Sequence, residues 1–158
     1  MVKTNVDISE IDKLLKDLEK ELKSCKGVQI GWLEEEKALN HKREQTQQKQ
    51  GDIAIKLNFG SPEDKIPPRP FMTNSIKGKN KVYGTRLKYL FDKEMPLGMT
   101  LVQFGKTIRK DIQDEIDSNT PPPNSPLTIE LKGSSRTLID TGHMRNSIQV
   151  QIMKANDE

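Results

Sequence analysis

Asp140-Thr141-Gly142, preceded by Leu138 and Ile139, is the one string whose residue types match a catalytic pattern. Two such triplets brought together let two carboxylates share a proton, as in aspartic proteases, so a single copy requires a homodimer. The same residues also fit a helix start. Asp140 would be the N-cap, and Ile139 would staple against Met144 at the fourth helical position. The two histidines, His41 and His143, do not sit in a metal-ligand spacing, and His143 reads as a surface residue beside that helix start. Cys25 is the only cysteine, which excludes an internal disulfide and a thiolate-built structural zinc site; it is expected as a buried filler or a chance surface thiol. Glu34-Glu35-Glu36 reads as a solvated acidic run, and no glycine loop is arranged to cradle phosphate. Pro67-Pro68-Arg69-Pro70 has PxxP spacing, for which a rigid connector is the simpler reading. The chain is therefore expected not to be an enzyme and to carry no metal or cofactor. The protease homodimer is the alternative of another class.

The elements that must position these residues are constrained by composition. The chain has 158 residues, the size of one domain, with 32% apolar and 31% charged residues, so a small core with extended arms is expected. The net charge is +3. Between Lys77 and Lys110, nine basic residues face two acidic ones, a local balance of +7 that leaves −4 for the rest. This segment is either a solvated helix face or a patch for an acidic protein or DNA phosphates. Aromatic residues make up 4% and are not interleaved with the basic ones, which argues against a base-stacking platform. No apolar stretch approaches a membrane span and the N-terminus lacks a signal-peptide core, so a soluble chain made in a reducing compartment is expected.

Ile8, Ile11, Leu14, Leu15, Leu18 and Leu22 recur at helical spacing behind Ser9, which predicts an amphipathic helix capped by Ser9 and ending near Ser24. Val28, Ile30 and Trp32 alternate with Gln29 and Gly31, and Ile148, Val150 and Ile152 with Gln149 and Gln151; both read as half-buried strands, paired with each other. Residues 33–50 lack an apolar stripe and predict a mobile loop, an insertion or an exposed helix start. Residues 52–59 fit a strand or a helix equally well. The prolines from Pro67 to Pro70 force extended backbone, with Phe71 and Ile76 facing inward from the helix that follows. Leu101, Phe104, Ile108, Ile112 and Ile116 mark a second long helix from Met99 to Ser118. A stiff Pro-rich arm is expected over 119–127, setting the spacing to the C-terminal unit.

Taken together, several strings resemble a phage family. They are Gly27-Val28-Gln29-Ile30-Gly31-Trp32, Ile53-Ala54 with Asn58-Phe59-Gly60, and Ile66-Pro67-Pro68-Arg69-Pro70-Phe71. Further on come Pro123-Asn124-Ser125-Pro126-Leu127-Thr128-Ile129 with Lys132-Gly133, and Leu138 to Gly142 with Arg145 and Ser147-Ile148. Their order and spacing look like those of the tail-completion proteins of tailed phages, the virion-morphogenesis group that includes the Mu-like G protein and the Z-type minor tail proteins. The likeness spans roughly Gly27 to Ile152. Asn58 stands where that family often has an acidic residue, and Met144 where leucine is common.

The resemblance implies an α+β fold in which a small antiparallel sheet packs with long amphipathic helices joined by extended Pro-rich connectors, and it makes 53–59 helical. It implies a structural protein of the virion neck, or of the host cytoplasm during assembly, that completes the tail and helps join it to the DNA-filled head. A tail terminator or another minor tail protein is the nearest alternative. The implied partners are the connector, the tail terminator and the tail tube, within a homo-oligomeric ring, with weak contact to DNA in the channel and no membrane. It carries over no catalytic residues. The candidate protein-interface residues are Arg69, Phe71, Arg86, Lys88, Arg109, Lys110 and Arg145. Arg69, stiffened by three prolines, either meets a carboxylate on a neighbour or caps a helix of its own domain. Phe71 reads more simply as core.

Overall fold

The computed structural model describes residues 8–33, 37–39 and 45–154. Helix α1 (Ile8–Ser24) runs straight into strand β1 (Cys25–Gly31), followed by β2 (Lys37–Leu39) and β3 (Gln45–Lys49). Five helices come next: α2 (Gln50–Phe59), α3 (Phe71–Ile76), α4 (Asn80–Phe91), α5 (Leu97–Asp117) and α6 (Pro126–Lys132). A single turn, α7 (His143–Asn146), leads into β4 (Gln149–Lys154). The fold is α+β, as expected.

β1 and β4 pair antiparallel, with Val28 opposite Ile152 and Ile30 opposite Val150, so the two alternating apolar sets meet on one ribbon. α5 lies against that ribbon. The approach is close because Gly105 faces it: a Cβ there would stand 2.5 Å from Val150 Cγ1 and 2.9 Å from Val28 Cγ2. Ile112 and Ile116 are buried farther along α5, while Leu101, Phe104 and Ile108 are half-buried. The core joins Ile112 and Ile116 to Ala54, Phe71, Leu138, Met144 and Ile148. Trp32, just past β1, ties three parts together. Its indole Nε1 donates to Met144 O at 2.9 Å, and its ring meets Phe71 edge-on at 6.2 Å.

Several expectations need correction. α1 begins at Ile8, so Ser9 lies inside its first turn and is not its N-cap. Of the α1 stripe, Leu15 is exposed, and the other side chains lie outside the described ones. In the 33–50 segment, Lys37–Leu39 and Gln45–Lys49 form a paired ribbon, with Leu39 opposite Gln45, and Gln50 already belongs to α2; residues 34–36 and 40–44 lie outside the described residues. Ile76 is exposed while Phe71 is fully buried. The Pro-rich run is no free spacer. Thr120 is buried with its hydroxyl donating to Glu115 O, and Pro126 is the first residue of α6.

α3 starts at a proline, which offers no capping side chain, and a residue from another helix supplies the acceptor. Asn58, buried in α2, takes the Met72 N–H on its Oδ1 at 3.1 Å. α4 is held to α5 by Asp111, which accepts from Lys79 Nζ at 2.8 Å and from Tyr83 OH at 2.7 Å. Burial first, then the Asp111 carboxylate, pushes the Tyr83 phenol well above its ordinary value.

Candidate interaction surfaces

A cleft of about 840 Å³ opens between α2, the turn after it, the Pro-rich connector, α6 and the bend before α7. α2 presents Ile53 and Leu57, and α6 presents Thr128 and Lys132; each pair is four residues apart and so shares a helix face. The turn is closed by reciprocal main-chain bonds of 2.9 Å between Ser61 and Ile66. It begins at Gly60 (φ 82°), where a Cβ would crowd Ile66 O at 3.1 Å. Asp64 pins it by accepting from Lys56 Nζ and Ser61 Oγ, both at 2.8 Å, and the Lys56 bond leads in holding that carboxyl below its usual range.

Arg69 is the clamp at the inner end. Its side chain is 4% exposed, with Nε donating to Pro122 O at 2.8 Å and Nη2 reaching Pro123 O at 3.4 Å and Asn124 Oδ1 at 3.2 Å. The guanidinium caps no helix, which corrects that reading of Arg69; it fixes the connector between α5 and α6. Lys132 approaches from α6 and donates to Arg136 O at 2.9 Å. Burial pushes its ammonium down, Asp140 opposes that shift, and Arg69 adds to it.

The bend before α7 differs from the expected cap. Gly142, in the left-handed region at φ 78°, precedes the helix, and the Thr141 hydroxyl accepts the His143 N–H at 3.2 Å. Asp140 is exposed and caps nothing. The cause is local: glycine turns the chain so that the threonine, and not the aspartate, lies within reach of the first free N–H. His41 and Glu34 to Glu36 lie outside the described residues.

The other predicted interface residues divide into two sets. Phe71 is core, and Arg145 is engaged within the chain. Arg145 Nε contacts both Asp117 oxygens at 2.9 Å and Nη2 one of them at 2.7 Å, which locks α7 to the end of α5. Neither is available as a docking group. Arg86 and Lys88 lie on α4, and Arg109 and Lys110 on α5. Arg86 sits 5.3 Å from the Tyr89 ring centroid, with Lys93 Nζ 4.9 Å from the same ring; Lys110 pairs with Asp114 one turn on.

Apolar side chains left in solvent form short stripes at helical spacing. On α2 they are Ile55 and Phe59, the latter 72% exposed; on α6 they are Leu127 and Leu131, each close to two-thirds exposed. α4 exposes Val82 and Tyr89, seven residues apart, with Arg86 between them on the same face. The apolar spacing of α2 and α6 carries these stripes; 52–59 fits a strand as well as a helix, and Leu127 falls in the expected Pro-rich arm. Among the described residues no cluster of three or more His, Cys, Asp or Glu is arranged to hold a metal ion, and no helix is long and apolar enough to cross a membrane. No protein-family model, curated protein or solved structure matches this chain.

Proposed function

We propose that this chain is a structural subunit of a tailed-phage virion, placed at the neck, where it completes the tail and helps join it to the filled head. The observation that carries the reading is the set of apolar stripes on α2, α4 and α6. Single exposed apolar residues are ordinary on any surface, whereas pairs aligned on one helix face offer a joint apolar surface that another protein can cover. Phe59 and Leu131 have no cover among the described residues, and a subunit of an assembly would bury them against its neighbours. The motif resemblance supplies the kind of assembly. The basic balance of the α4–α5 segment supports a second, weaker contact with DNA in the channel, through phosphates and not through bases.

An early stop codon in this gene tests the reading by electron microscopy of lysates. DNA-filled heads beside separate, finished tails are expected. Tails of abnormal length would move the role to tail termination, and normal infectious virions would overturn the structural reading.

A further inference from the structure

Two cations line the cleft without a carboxylate bonded to either, although Asp64 and Asp140 also border it. Arg69 and Lys132 both line it, and the charge of Arg69 adds to the downward push on the Lys132 ammonium. Their hydrogen bonds go to neutral oxygens: Pro122, Pro123 and Asn124 for Arg69, and the Arg136 carbonyl for Lys132. Among the described residues no acidic group comes within ion-pair distance of either, and Arg69 Nη1 makes no hydrogen bond. Asp140 acts on Lys132 only through space. A second, independent feature lies in the same wall. Thr137 is 4% exposed and lines the cleft, yet its hydroxyl has no hydrogen-bond partner. A buried polar group left so is unfavourable, and a ligand bonding to it relieves the penalty.

The wall also carries unused main chain. From Leu138 to Gly142 no main-chain N–H donates to another described residue, while Asp140, Thr141 and Gly142 border the cleft. Ile53, Leu57, Ile66 and Met144 supply apolar walls on either side. Apolar walls, a few convergent polar groups and this volume are what a binding cleft requires. Free main-chain donors beside side-chain pockets are what an extended peptide uses.

We propose that the cleft receives an extended segment of a partner protein bearing a carboxylate side chain flanked by apolar ones. The carboxylate lies between Lys132 and Arg69 and forms the charge-assisted bonds that the chain itself leaves unmade. The flanking apolar side chains rest on Ile53 and Leu57, and the segment's carbonyls accept from the bend at Leu138 to Gly142. The inference stands on the cleft and does not depend on the neck assignment, so it can hold or fail independently of it.

The test uses the full chain, labelled with nitrogen-15, and two short probes: acetyl-Leu-Glu-Leu-amide and its glutamine counterpart, acetyl-Leu-Gln-Leu-amide. Amide shifts at 137–142 should move and saturate with the glutamate probe, and the glutamine probe should bind about tenfold more weakly. Lys132→Gln should bring the glutamate probe down to the level of the glutamine one. The comparison between probes on the unaltered chain needs no variant, so a folding defect cannot mimic the result. Absence of saturable shifts, saturation elsewhere on the surface, or equal binding of the two probes would overturn the proposal. So would shifts at 137–142 with sodium sulfate but not with the peptide, which would assign the cleft to a small anion.

Discussion

Asn58 does at the residue scale what a sequence reading assigns to a residue adjacent in the chain. α3 follows a proline, and its capping acceptor comes from α2, fourteen positions earlier. Asn58 stands where the resembling family often has an acid, and an amide oxygen serves a buried helix start without bringing a charge into the core. Asn58→Ala leaves the Met72 N–H without its acceptor and removes a buried amide, so urea denaturation should show a loss of about 1–3 kcal/mol with the slope of the transition unchanged. Tyr83 gives a pH signature at the same scale. Its raised phenol value means that its bond to Asp111 stabilises the fold fully below the unfolded tyrosine value and is lost as pH climbs through the folded one. In a Tyr89→Phe variant Tyr83 is the sole tyrosine, and its ultraviolet titration should have a midpoint above the ordinary value of about 10 while the protein remains folded. A midpoint at the ordinary value would break the assigned link between α4 and α5.

Contact between α5 and the β1–β4 ribbon depends on the small size of Gly105. Alanine there improves helix propensity by about 1 kcal/mol. Its methyl would nevertheless overlap Val150 and Val28, and overpacking of this kind costs about 1–3 kcal/mol. Gly105→Ala should therefore lower the thermal midpoint, whereas Gly84→Ala, with nothing near the added atom, should not. Elements that bury alternating or helical apolar sets were legible in the sequence. β1, β4 and α5 are of this kind, because a pleated or helical face repeats its own period. β2 and β3 were not: Gln45 to Lys49 is polar at every position, and its pairing partner is set by tertiary placement. α6 was legible in principle, with Ser125 as N-cap, Pro126 at the first helical position and Gly133 at the left-handed C-cap. The prolines upstream drew its first two residues into the expected arm over 119–127. The cleft could not be read at all, since its cations, hydroxyl and apolar walls come from five separate segments.

Across the whole molecule, two of the charged docking candidates also hold the fold together, while apolar stripes stand exposed on the helices. Arg69 and Arg145 each fasten a connector or a turn to the body. Ile55, Phe59, Leu127 and Leu131 remain in solvent. On the function proposed above, the chain acts by burying these stripes on its neighbours and not through a reactive group. Complementation tests it most directly: the stop-codon phage is grown in cells supplying either Asp140→Asn or the pair Ile55→Ser with Phe59→Ser, each variant first checked for a native circular dichroism spectrum. Asp140→Asn is expected to restore plaques in full, and the folded double variant to leave filled heads and tails unjoined. Loss of plaques with Asp140→Asn, alongside full rescue by the double variant, would contradict it and return the Asp140-Thr141-Gly142 triplet to the centre of the protein's function.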